Sequence, residues 1–210
     1  MSPAVILRPL LAKLSRIAPR LEIGVRQLLP SPARAWRSAI VDLEAHAINI
    51  AIIPSGDIPP RFEKRCIYEE DFVIAMRLGH PFARDPTLER YCDLVVSHSG
   101  DPYGFVDEQL AKQGRARRIA LTVPNFMFAL AVIAETDLIS ALPRRFVTMH
   151  AARFGVLSLD APLPLPGFRL NAVAPKVAMM DAGVAWLFDL LAGVEPTAQK
   201  HHSGLPALRR

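Results

Sequence analysis

Residues 93–145 read DLVVSHSGDPYGFVDEQLAKQGRARRIALTVPNFMFALAVIAETDLISALPRR. Their hydrophobic pattern alternates between the two regular periods. Leu94 to Ser97 is a short apolar run that predicts a buried strand, and the glycine-bearing loop after it leads into a helix from Phe105 to Gln113 that Gly114 ends. Ile119 to Val123 predicts a second strand. Asn125 is placed to cap a helix running through Glu135, Leu138 to Leu142 predicts a third strand, and Pro143 opens a helix to about Phe154, stopped by Gly155. Strands that alternate with helices are the pattern of an α/β fold.

Working outward, Val156 to Leu159 predicts another short strand, and residues 161–166 are proline-rich. Phe168 to Ala174 predicts a returning strand, and a last helix spans about Asp181 to Leu191. On the N-terminal side, Ile6, Leu7, Leu10, Leu11, Leu14 and Ile17 recur at helical spacing until Pro19 stops the helix. Leu21, Ile23 and Val25 alternate with polar residues and predict a strand. A helix capped by Ser31, with Trp36, Ile40 and Leu43 facing inward, leads to the apolar run Ile48–Ile53. That run predicts a parallel strand covered on both faces, closing a β-α-β unit. Arg65 to Met76 predicts one strand whose acidic middle, Glu69-Glu70-Asp71, points to an exposed or edge-like position.

At 210 residues the chain can bury a real core, and no apolar run approaches the ~18 residues that would span a bilayer. The start, Met1-Ser2-Pro3 with Arg8 and Lys13 close behind, is a poor signal peptide, so a cytoplasmic location is expected. Cys66 and Cys92 have no metal-binding spacing and read as free thiols. The net charge of +5 admits nucleic acid as a partner, but the basic residues are scattered. Neither a helix-turn-helix nor aromatic–basic interleaving accompanies them, so solvated surface charge is the simpler reading.

Catalysis finds little support. The sequence holds no HExxH, GxSxG, GxGxxG or P-loop, and its six histidines (46, 80, 98, 150, 201 and 202) do not form ligand spacing. No metal, cofactor or enzymatic activity is therefore expected. Asp101 and Asp107 follow the glycine loop, but a carboxylate in a helix's first turn has a structural use in any protein.

The motifs VVS, GD, VD, RRIALTVP and TDL…LPRR, in this order and spacing, resemble the effector-binding domain of LysR-type transcriptional regulators. The segment Leu43–Ile53, LEAHAINIAII, resembles the family's L-x-x-G-x-I-D-L-A-I, with Asn49 in place of the usual aspartate. Gly79–Ala83, GHPFA, resembles the segment that marks the passage between the two subdomains. The resemblance implies a two-lobed, periplasmic-binding-protein-like fold of type II. Its first lobe comprises residues 1–78 and 167–192 and its second lobe residues 79–166; beyond them, the polar, proline-containing composition of residues 193–210 predicts a disordered tail. The resemblance also implies a sensor of a small anionic or aromatic effector that pairs as a homodimer. Such regulators carry a winged helix-turn-helix ahead of this domain. None is visible here, and the family's first strand has no counterpart before the first helix, so the expectation is a truncated regulator, its first lobe incomplete, that does not bind DNA by itself. A free-standing solute-binding protein of the same fold, or an enzyme on it, is the alternative.

In such a fold the ligand lies where strand ends and helix N-termini converge. Candidate contacts are Ser97, His98 and Ser99 after one strand, and Asn125 and Phe126 where a strand hands over to a helix; Ser31 is a third possibility. Each has a plainer reading: turn serines, a satisfied histidine, an N-cap, and core aromatics in Phe126 and Phe128.

Overall fold

The computed structural model describes residues 4–26, 35–54, 58–93, 95–97 and 103–194. Helix α1 is Ala4–Ile17 and α2 is Ala35–Glu44; β1 is Ala51–Pro54, β2 Phe62–Glu70 and β3 Phe72–Arg77. Short α3 (Leu88–Tyr91) is followed by β4 (Val95–Ser97), α4 (Phe105–Ala111), β5 (Ile119–Thr122) and α5 (Phe126–Glu135). Then come β6 (Ser140–Pro143), α6 (Arg144–Phe154), β7 (Val156–Asp160), β8 (Phe168–Pro175) and α7 (Ala182–Ala192).

One sheet has the order β1-β8-β2, with both neighbours antiparallel to β8. Its core joins Ile6, Leu10 and Leu14 of α1 to Leu170, Ala172 and Ala174 of β8 and Phe188 of α7. Ala39 and Leu43 of α2 pack with Ala51 and Ile53 of β1 in a neighbouring cluster.

The other sheet is built around β3, which lies antiparallel between β6 and β7. Strands β4 and β5 pair in parallel, and a parallel bridge between Val95 and Ile139 attaches them beside β6. The buried Ser140 hydroxyl strengthens this seam by donating to the Val96 carbonyl at 3.0 Å. Alternate residues of β3 serve two cores. Val73 and Ala75 pack with α5 and α6, whereas Ile74 and Met76 pack with Tyr91, Val106 and Leu110. This is the period-2 alternation of a strand covered on both faces.

Three expectations are corrected. The single strand over Arg65–Met76 is two strands in different sheets, β2 and β3, broken at Asp71. The acidic residues mark the crossing between sheets. Sheet membership therefore changes at Asp71 rather than at Gly79–Ala83, and β3 pairs wholly within the second sheet. The parallel β-α-β unit expected over residues 21–53 does not form among the described residues. Residues 21–26 form no strand, with Leu21 and Val25 exposed, and β1 is a short edge strand antiparallel to β8. Alternation makes a strand only where a neighbour completes its hydrogen bonds, and no described segment does so for residues 21–26.

The second-sheet elements match their expected positions closely, including the α6 stop at Gly155, whose φ of 61° is a left-handed cap that favours glycine. Glu69 and Glu70 do lie on an edge strand, since β2 ends its sheet, but Glu70 is buried rather than exposed and Asp71 lies between the strands. Of the tail expected over residues 193–210, Gly193 instead ends α7 and Val194 is buried in the core of the first sheet; the rest lies outside the described residues.

Candidate functional site

The strands β4, β5 and β6 run parallel, so their C-terminal ends share one side of the sheet. Each is followed by a helix: α4, α5 and α6. Three helix starts therefore lie along one end of the sheet. What distinguishes them is the group each already holds.

At α4 the group is Asp107. One carboxylate oxygen accepts from the Gly104 N–H at 2.8 Å, and the two oxygens together take a paired contact from Arg117, Nε and Nη2 both at 2.8 Å. The Arg117 side chain is only 5% exposed, so this is a shielded ion pair rather than a surface one. The carboxylate is local, and its cation follows α4 in sequence.

At α6 the group comes from the other sheet. Pro143 precedes the helix and has no side chain to cap it. Glu70, the last residue of β2, reaches across. Its Oε1 accepts from the Arg145 N–H at 3.4 Å and from the Asp71 N–H at 3.2 Å. The Arg144 N–H donates to the Asp71 carbonyl at 3.0 Å. Glu70 is 5% exposed, and burial pushes its carboxyl up to about 7. The Arg145 guanidinium, which favours the ionised form, lies over the Tyr68 ring, 5.2 Å from its centroid. Burial also raises the Tyr68 phenol well above its ordinary value.

At α5 the group is neutral. Asn125 caps the helix, its Oδ1 accepting from the Phe128 N–H at 3.1 Å. Ser97 is adjacent, because its carbonyl accepts from the Val123 N–H at 2.8 Å, which ties the end of β4 to the segment entering α5. Ser97 is buried and Asn125 half-buried. Phe126 is half-buried too, its ring 5.8 Å from that of Phe146 and packed on the core. Phe128, by contrast, is exposed and is not a core residue. The structure thus brings Ser97, Asn125 and Phe126 to one place; His98, Ser99 and Ser31 lie outside the described residues.

A separate open groove of about 780 Å³ lies at the crossing, lined by Glu69, Glu70, Asp71, Arg144, Asp160, Gly167, Phe168 and Arg169. Neither Ser97 nor Asn125 lines it. Its arginines are already committed: Arg144 to Asp71 and Asp160, Arg169 to Glu69. Carboxylates outnumber cations there. Sequence reading missed Glu70 and Arg145 as partners, and no local signal joins two residues so far apart in the chain.

Other polar groups have structural roles. His80 is buried, accepts at Nδ1 from the Phe82 N–H at 3.0 Å, and therefore donates from Nε2 to the Asp137 carbonyl at 3.0 Å. Among the described residues no group of acids, cysteines and histidines is arranged to hold a metal ion, and no helix is long and apolar enough to cross a membrane.

The family model described as "LysR substrate binding domain" matches residues 2–195. The chain is 26% identical to the HTH-type transcriptional regulator SyrM 1 of Sinorhizobium fredii (strain NBRC 101917 / NGR234), over 98% of this chain and 60% of that protein. It is 28% identical to the HTH-type transcriptional activator NagR of Ralstonia sp, over 87% of this chain and 60% of that protein. The chain thus spans about three-fifths of the length of these relatives. Among solved structures, the regulatory domain of MexT, a transcriptional activator in Pseudomonas aeruginosa, superposes with a TM-score of 0.71 at 27% identity, covering 89% of this chain and 90% of that one.

Proposed function

The chain belongs to the LysR substrate-binding domain family and is an effector-binding domain of the LysR type; from that premise we propose that its effector is a small carboxylate, aromatic or apolar in its body, held between the two lobes at the start of α5. The observation that carries this reading is the difference among the three helix starts. Those of α4 and α6 are already capped by the carboxyl groups of Asp107 and Glu70, which take up backbone N–H groups that an anion would need. Among the described residues, the start of α5 is capped by the neutral Asn125, with Ser97 beside it. The dipole at the start of α5 therefore favours the anion there. His98 and Ser99, which follow Ser97 directly, are assigned to the same site, and Phe126 supplies an apolar wall.

A thermal-shift screen of carboxylates on the wild-type chain, followed by calorimetry of a hit on Asn125→Ala and Ser99→Ala, tests the site. Each hydrogen bond to a charged group contributes roughly 1.5–3 kcal/mol, so either change is expected to weaken binding about ten- to a hundred-fold. A hit that binds both variants as tightly as wild type places the pocket elsewhere. Asn125→Ala also costs about 1 kcal/mol of stability as a lost cap, which denaturation without ligand separates from the binding effect.

The partner is a second copy of the chain. Leu11 and Ile17 of α1, with Leu21 and Val25 after it, are exposed on the first lobe; Leu121 of β5 and Met127 and Phe128 of α5 are exposed on the second. An antiparallel, side-by-side homodimer would cover one set with the other. Sedimentation at tens of micromolar (about the loading of an ordinary run) should show a dimer. The domain is cytoplasmic, and by this reading it does not bind operator DNA specifically by itself. A gel shift with sequence-discriminating binding at physiological salt would overturn that last statement.

A further inference from the structure

Among the described residues, Glu70 is the one buried side chain whose carboxyl links the two sheets through the first turn of α6. It ends β2 in the first sheet and contacts the amides of Asp71 and Arg145 at the entrance to the second. The returning strand presses on the same point: a Cβ on Gly167 would stand 2.9 Å from the Glu70 carbonyl oxygen. Glu70 is also directly opposite Phe168 in the β2–β8 ladder. Both crossing segments and the start of α6 therefore meet around one acid.

We propose that Glu70 is a proton-operated latch at the crossing, holding the lobes together while its carboxyl is neutral and loosening them when it ionises. The groups around it set that balance. From β2 come the Tyr68 phenol and Glu69, the latter paired with Arg169 of β8. Asp71 follows at the crossing and adds negative charge. From α6 come Arg145, over the Tyr68 ring, and Arg144, held by Asp71 and by Asp160 of β7. Arg145 and the two amides favour ionisation, but burial outweighs them and the carboxyl is pushed up to about 7.

The direction follows from linkage. When the crossing opens and water reaches Glu70, its carboxyl returns toward the ordinary value of 4.5. The closed crossing then binds the proton more tightly than the open one. Closure is strongest below the lower value, weakens as pH rises through the window between them, and is constant above about 7. This latch does not depend on which ligand the domain takes.

The test is carbonyl-detected carboxyl NMR on the full chain, with amide hydrogen exchange from about pH 5 to about pH 8.5, on wild type and Glu70→Gln. The Glu70 carboxyl is expected to titrate near neutrality. After correction for base catalysis, exchange at Asp71, Arg145 and Phe168–Leu170 should speed up at least about three-fold up to pH ~7 and then level off. Glu70→Gln should abolish this step. A Glu70 midpoint in the ordinary carboxylate range overturns the latch, as does a step that persists in the variant. A step confined to Asp71 and Arg145, with Phe168–Leu170 unchanged, reduces Glu70 to a helix cap and equally overturns it. If the variant does not fold, the wild-type titration and exchange pattern decide the matter alone.

Discussion

The first turns of α4 and α6 solve the same problem in opposite ways. Both expose backbone N–H groups at the same end of one sheet, and both receive a carboxylate. At α4 it is Asp107, three residues from the amide it caps and clamped by Arg117, which holds its charge in a fixed two-point contact. At α6 it is Glu70, from a different sheet, held by two longer backbone contacts and lacking any side-chain cation within hydrogen-bonding reach. The difference teaches that a local carboxylate with its own cation makes an inert cap. A carboxylate delivered by tertiary structure, buried before it is paired, has a proton affinity that depends on the fold staying closed.

The comparison breaks most sharply at α4. Arg117→Ala leaves Asp107 shielded and without its partner, and removing one member of a buried pair costs roughly 3–5 kcal/mol. Because Asp107 keeps some solvent contact, about 3 kcal/mol is expected, read as a lower midpoint in urea denaturation; a loss under about 0.5 kcal/mol would show that the pair is no more than a surface contact. At the α6 side the corresponding probe is steric. Gly167→Ala drives a methyl group against the backbone carbonyl of Glu70, and the crossing must shift to accept it. Overpacking of this kind costs about 1–3 kcal/mol. The same denaturation series should show the loss, together with a changed pH dependence, because the shift alters the burial of Glu70. The smallest effect is next door. Glu69→Gln removes the partner of Arg169 from an exposed pair, and its stability should stay within roughly 0.5 kcal/mol of wild type at moderate salt. A large loss there would mean that the groove, rather than Glu70, carries the electrostatics of the crossing.

The two lobes also differ in how readable they were. In the second, Asn125 announced α5, Gly155 the end of α6, and the run around Val95–Ser97 a buried strand, because caps and hydrophobic periods are local signals. In the first lobe α1, β8 and α7 were as legible, but alternation misled in the segment after α1. Leu21, Ile23 and Val25 alternate as a strand does, yet no described segment pairs with them. Phe62–Arg77 has continuous strand character, so periodicity alone did not locate the passage between sheets. Of the candidate ligand contacts, Ser97, Asn125 and Phe126 were legible because they end a strand or begin a helix. Glu70 was legible only as an unusual acid in a strand.

The amino-acid sequence by itself determined the α/β class, the family, the helix caps and most of the strands around β3. Each depends on residues within a turn or two of one another, or on motifs whose order survives without coordinates. Tertiary structure alone decided that β2 and β3 part at Asp71, that the parallel strand ends line up three helix starts, and that Glu70 fills one of them. Burial and cross-sheet hydrogen bonding are properties of where distant segments meet, and the proton affinity of a carboxyl group follows that meeting rather than its neighbours in the chain.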